Sequence, residues 1–343
     1  MGWLVMLSGY RTWLFQNEPV IISTGTVGGP FEANGKIPED FDVLHEDIWL
    51  REDSFEKAQK VMLEEACQRA MEKAEVQQEE VQFFLGGDLI NQITPTSFAM
   101  KTFGIPYLGL FGACSTSMEG LALGAFLVNY GGSTCLMTGA SSHNAATEKQ
   151  FRYPTEYGGQ KPPTSQWTVT GAGVALLKNK GDGPRVTSST IGRVIDMGLT
   201  DPFNMGGAMA PAAVDTIEVH LKERGVDPSY YDLIVTGDLG HIGREVSLDL
   251  LKKHNISIEE ERFQDCGLMI YREGQPVLSG GSGAGCSASV VYGHLLNRMK
   301  KGEFRKVLVV ATGALLSPLT FQQNETIPCI AHAVSIEVGG SDT

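Results

Sequence analysis

The chain has 343 residues, 42% of them hydrophobic, with 41 glycines and a net charge of −13. That length and apolar fraction suit one large or two fused α/β domains around a substantial core. The acidic balance, with no Lys/Arg run longer than the pair at Lys300-Lys301, excludes a basic nucleic-acid footprint and argues against broad attraction to anionic lipid.

In chain order, residues 2–15 are apolar in patches, but Gly9 and Arg11 interrupt them and no basic segment precedes them. Neither a transmembrane helix nor a signal peptide is expected there. Met6 is a second candidate start. A strand is expected over 82–85, then a short helix and a strand over 105–111. That strand stops at Gly112-Ala113, inside the stretch FGACSTSMEG from Phe111 to Gly120. A small-residue helix over 118–128 follows. The pattern places Cys114 at a strand-to-helix turn, where free N–H groups and the helix dipole favour a thiolate or a bound carboxylate. Strands over 134–139 and 168–177 complete the first half.

The second half reads as a repeat. A strand over 233–236, a helix over 244–254 and a strand over 267–271 lead to the glycine-rich turn Gly280-Gly281-Ser282-Gly283-Ala284-Gly285. A helix over 287–299 and strands over 306–311 and 329–337 close it. Both halves carry Thr-Gly-Ala after an apolar strand, at Thr138-Gly139-Ala140 and Thr312-Gly313-Ala314. Continuous apolar strands between helices indicate sheets covered on both faces. The polar linker 179–184 divides the chain into halves 1–180 and 181–343. Two long loops, 141–166 and 191–211, have the length of site-building or interface segments. The six cysteines are scattered, with no CxxC pair, so reduced thiols are expected rather than zinc or disulfides. Cys67, Cys135, Cys266 and Cys329 lie in apolar runs and read as core.

These motifs resemble the thiolase and ketoacyl-synthase superfamily, and more closely the stage V sporulation protein AD family of spore-forming bacteria. The resemblance rests on 111–119 (FGACSTSME), 141–161 (SSHNAATEKQFRYPTEYGGQK), 192–196, 209–212 (MAPA), 265–271 (DCGLMIY), 311–318 (ATGALLSP) and 327–332 (IPCIAH). It implies an α/β thiolase-like fold: two pseudo-symmetric βαβαβαββ halves in an αβαβα arrangement. It also implies a homodimer meeting along 134–139 and the loop after it. The implied function is binding of dipicolinic acid, alone or with calcium, in a former acyl pocket. It would operate at the forespore or spore inner membrane, with other stage V sporulation A membrane proteins as partners and no cofactor.

The superfamily's condensing chemistry uses a His or Asn from each of two second-half loops. Here the first loop reads Gly237-Asp238-Leu239-Gly240-His241, and the second holds only small residues and Cys286 after its glycines. The nucleophile position is kept without its partners, which implies a binding protein; the alternative is an acyl-thioester condensing enzyme using Cys114 with His143 or His241. For a bound dianion, the candidate residues are Cys114, Ser115, His143, Asn144, Arg152, Gly281, Ser282, Gly283 and Asp238. Lys149 and Lys161 are weaker cation candidates beside Arg152, whose fork matches a carboxylate. Asp238 is also a candidate oxygen ligand for a calcium ion carried by the ligand.

Overall fold

A computed structural model describes residues 7–151 and 161–339. The short strands β1 (Leu7–Ser8) and β2 (Thr12–Leu14) form a hairpin ahead of β3 (Val20–Gly28), which β4 (Val43–Leu44) flanks. Helix α1 (Phe55–Lys73) starts where the Ser54 side chain accepts from the Lys57 N–H. It leads to β5 (Phe83–Gly87), α2 (Thr94–Phe103), β6 (Tyr107–Gly109), α3 (Thr116–Asn129) and β7 (Cys135–Ser142). Helix α4 (Asn144–Phe151), β8 (Trp167–Thr168) and β9 (Gly171–Lys178) end the first half.

The second half runs through β10 (Arg185–Thr190), α5 (Met205–Arg224), β11 (Leu233–Thr236), α6 (Gly240–Lys253), β12 (Phe263–Asp265) and α7 (Cys266–Ile270). It continues with β13 (Gly281–Ser282), α8 (Ala284–Ser289), a π-helical turn (Val290–Leu295) and α9 (Leu296–Lys300). Then come β14 (Lys306–Ala314), α10 (Pro318–Gln322) and β15 (Cys329–Glu337).

The strand order shows the duplication. The first half runs β6-β5-β7-β9-β3 and the second runs β12-β11-β14-β15-β10. In both, the outer three strands are parallel and the inner two antiparallel. The halves meet where Val20 pairs with Arg185, so one sheet path crosses both. Helices α1 and α2 cover one outer face and α5 and α6 the other, while α3 and α8 pack between the halves. Covered on both faces, β7 is buried at every position and so reads as an unbroken apolar and small-residue run.

Three expectations change. Residues 267–271 are not a strand: α7 occupies 266–270, after β12. The strand stops because the Asp265 carboxylate turns back to accept the N–H groups of Leu239 and Gly240, at 2.8 and 3.0 Å. The loop 141–166 begins with α4, and 191–211 gives way to α5 at Met205, where Asn204 caps Gly207. Finally, β7 lies between β5 and β9, so its backbone cannot pair with a second copy; β6 is the edge strand of that half.

Candidate functional site

The Cys114 turn is built under strain. Ala113 takes a left-handed backbone, φ 51°, unusual for a residue with a Cβ. The turn is tied by Ser115 Oγ donating to the Gly112 carbonyl at 2.6 Å and Thr116 Oγ1 donating to the Ala113 carbonyl at 2.8 Å. From the other half, Gly313 of β14 presses on it; a Cβ there would lie 2.2 Å from the Gly112 carbonyl oxygen. Glycine is therefore required in that Thr-Gly-Ala motif for close approach. The chain then enters α3, whose second residue, Ser117, meets Ser287 of α8 at 2.7 Å.

Cys114 lies at the foot of a cavity of ≈ 70 Å³, several times what one water requires. Its walls include Leu89, Phe111, Phe151, Phe203, Met205 and Leu316. The polar lining comes from Thr147, Glu148, Gln166, Thr168 and Ser282. The Thr147 hydroxyl is buried with no protein partner, so it is available to a ligand.

Directly behind the thiol sits Asp238, 1% exposed. Its Oδ1 accepts from the Thr312 hydroxyl at 2.8 Å, and its Oδ2 accepts from the Gly283 N–H at 3.0 Å. The Cys114 thiol is hydrogen-bonded to the same carboxyl. Burial pushes Asp238 up to about 7 against the pull of those donors. Burial, reinforced by the Asp238 charge, holds the Cys114 thiol well above the usual range. A thiol so placed is a weak nucleophile, because the thiolate is the reactive form.

The remaining candidates divide by position. Ser282 lines the cavity. Gly283 reaches it through Asp238, with a left-handed φ of 103° that glycine allows. Gly281 pairs with Trp167 across β13 and β8, and its carbonyl accepts from Gln166 Nε2 at 3.2 Å. Ser115 is fully buried and spends its hydroxyl within the turn. His143 points away from the cavity: its Nε2 meets the Ile48 carbonyl at 2.9 Å and its ring packs on Phe55, while burial lowers its basicity. Asn144 donates to Thr170 Oγ1 and the Thr168 carbonyl, anchoring the start of α4. His241 is exposed at the start of α6. Lys149 pairs with Glu56 at 2.9 Å, and Lys161 pairs with Glu148 at 3.1 Å beside the Trp167 ring. Arg152 lies outside the described residues.

Gln166, Thr147, Phe151, Phe203 and Met205 were not singled out by the sequence, although all fall within the two long loops flagged there. A buried amide directly before the Trp-Thr-Val-Thr run was the available signal for Gln166.

Two strand sets of one order, two buried central helices and a cysteine at the first helix's entry define a thiolase-like protein. Solved structures of that class superimpose on it. 3-Oxoacyl-[acyl-carrier-protein] synthase III from Aquifex aeolicus VF5 matches with a TM-score of 0.57 and 13% identity, covering 93% of this chain and 100% of that one. Cerulenin-bound OleA from Xanthomonas campestris matches with a TM-score of 0.63 and 12% identity, over 95% and 98% of the two chains. At those identities the likeness shows the fold alone. The family model for stage V sporulation protein AD matches residues 9–337. Stage V sporulation protein AD of Bacillus subtilis (strain 168) is 44% identical over 334 residues, 97% of this chain and 98% of that protein. The chain belongs to the stage V sporulation protein AD family, and so to a group of sporulation proteins.

Proposed function

We propose that the protein binds dipicolinic acid (pyridine-2,6-dicarboxylate), alone or as its calcium complex, in the Cys114 cavity without transforming it. The binding serves dipicolinate uptake into the developing spore. The observation that carries this reading is the Cys114–Asp238 pair: where a condensing enzyme needs a base, the thiol meets a buried acid. The cavity chemistry also suits the ligand. Phe111, Phe151, Phe203 and Met205 offer flat and adaptable apolar walls for a ring, while Thr147, Gln166, Thr168 and Ser282 offer polar groups for its carboxylates. Among the described residues no group of three His, Cys, Asp or Glu side chains could hold a metal ion, so calcium would arrive on the ligand.

Among the described residues no helix is long and apolar enough to cross a membrane. In this reading the protein works peripherally at the forespore or spore inner membrane, as a homodimer, alongside other stage V sporulation A membrane proteins. Calorimetric titration with dipicolinate, with and without calcium, tests the function. Saturable one-site binding supports it, and no heat in either buffer refutes it.

Acyl-thioester condensation by Cys114 is the second reading, favoured by the thiol's place at the cavity foot. It lacks a base, because neither His143 nor His241 lines the cavity. A stoichiometric acyl adduct on Cys114 after incubation with acyl-CoA, seen by intact mass, would decide for it.

A further inference from the structure

Asp238 joins four parts of the cavity floor. Its backbone carbonyl accepts from Gln166 Nε2 at 2.6 Å, Oδ1 accepts from Thr312, Oδ2 accepts from Gly283, and the carboxyl meets the Cys114 thiol. Cys114 and Gln166 line the cavity, and Gly283 directly follows Ser282, which also lines it. We propose that Asp238 is the positioning residue of this site: it fixes the Cys114 sulfur as a hydrogen-bond-donating thiol and locks Gln166 and the Ser282-Gly283 turn around it. The proposal deepens the binding reading by assigning the residue that keeps the floor neutral and unreactive.

The surroundings leave the sulfur no route to a stable negative charge. The titratable groups acting on the pair are Asp265 at the end of β12, Cys286 on α8 and Cys329 on β15. Cys266 on α7 feels Asp238 in turn. None of these is cationic. A thiolate at Cys114 would face the Asp238 charge in a water-poor site, where like charges repel strongly. Only the Gly283 N–H favours it. The proton therefore stays on sulfur through neutral pH. A carboxylate ligand meets a thiol donor there instead of a competing anion.

Alkylation of Cys114 by iodoacetamide, followed by peptide mass from pH 6 to 10, reads this directly. Wild-type Cys114 is expected to alkylate only towards the alkaline end. Asp238→Asn keeps the shape and removes the charge; it should move the profile down by a unit or more, making alkylation at pH 8 about tenfold faster. Thr312→Val loosens the same carboxyl but keeps its charge, and should leave the profile near wild type. An unshifted profile in folded Asp238→Asn, or equal shifts in both variants, overturns the proposal. If Asp238→Asn does not fold, the wild-type profile decides alone: an ordinary thiol titrating near pH 8.5 overturns it, and an alkaline-shifted one supports it. The readout needs no ligand, so failure of dipicolinate binding and failure of this role are separate results.

Discussion

The hydroxyls of Ser117 and Ser287 lie 2.7 Å apart in the middle of the molecule, one on each of the two buried helices, α3 and α8, that the duplication brings together. Both side chains are buried, so each is the other's substitute for water. Ser287 also reaches towards the Cys114 carbonyl at 3.5 Å, and Tyr292 donates to the Ser117 carbonyl at 3.2 Å. The pair thus ties the cysteine turn of one half to the glycine-turn helix of the other.

Replacing one partner should therefore hurt more than replacing both. Ser287→Ala strands the Ser117 hydroxyl and should lower unfolding stability by about 1–3 kcal/mol. The double variant with Ser117→Ala should lose less than the sum of the two singles. Urea denaturation of the four proteins checks this, and strict additivity would show that the bond carries no coupling.

Stability should fall between mildly acid and neutral pH. Burial raises Glu32 from 4.5 to about 7, although the Tyr271 hydroxyl and the Thr170 N–H stabilise its charge. Burial raises Asp238 from 3.8 to about 7. For an acid whose folded value lies above its unfolded one, the contribution is complete below the unfolded value. It is lost as pH rises through the folded value. The window for this pair is thus pH 4 to 7, with a loss on the order of 1–3 kcal/mol per group. Glu32→Gln should flatten the decline in melting temperature between pH 5 and 7.5. A wild-type curve rising across that window would contradict the assignment. Asp40 and Asp215 act oppositely at lower pH: His294 and Asn297, and Arg193 and Arg11, hold them below the usual range. Their contribution disappears on acidification below about pH 4.

The expected twofold dimer now has a different seam. With β7 internal, the unpaired backbone belongs to β6, beside exposed Leu108 and Phe98. Edge strands with apolar neighbours invite pairing, and a second copy gives a closed isologous contact. Sedimentation velocity at micromolar concentration should show a dimer, and Leu108→Lys should shift it towards monomer. A monomeric wild type, or a Leu108→Lys dimer as stable as wild type, would remove this seam.

The parts of the fold legible in the sequence are those fixed by local pattern. Leu233–Thr236 reads as a buried strand because four apolar or β-branched residues stand between polar breaks. The Cys114 turn reads because Gly112-Ala113 cuts an apolar run before small residues. By contrast, Cys266–Ile270 is apolar and short, so its period decides nothing; the helix follows from Asp265 capping a different segment. The site was legible as a location but not as a constellation. Asp238 and Cys114 are joined by the pseudo-twofold packing of the halves, which no local spacing encodes. His143 pointed to the cavity by sequence proximity, yet its ring packs on the other side, against Phe55.

Substitutions at Cys114 should separate packing from chemistry. Cys114→Ala removes one thiol donor and should weaken dipicolinate binding only a few-fold, since a neutral hydrogen bond is worth about 1 kcal/mol. Cys114→Trp should fill the ≈ 70 Å³ cavity and abolish binding, with some loss of stability from overpacking. Calorimetry on both, with melting curves as the folding control, tests it. Wild-type affinity in a folded Cys114→Trp variant would place the ligand elsewhere.

Dipicolinate itself should stabilise the protein, through local groups alone. The net charge of −13 opposes a dianion, so the long-range field works against binding. Attraction must come from the Thr147 and Ser282 hydroxyls, the Gln166 amide, the thiol donor and a cation supplied with the ligand or by Arg152. At about 100 times its dissociation constant a ligand adds roughly 2.7 kcal/mol of folding stability, which a melting-temperature shift reports clearly. Benzoate fills the same apolar walls but lacks the second carboxylate and the ring nitrogen, so its shift should be smaller. Added salt should weaken dipicolinate less than a surface-bound anion, because the cavity groups are buried and poorly screened. Equal shifts for the two acids would mean that the walls alone select the ligand. No shift for dipicolinate, with or without calcium, would end the binding reading.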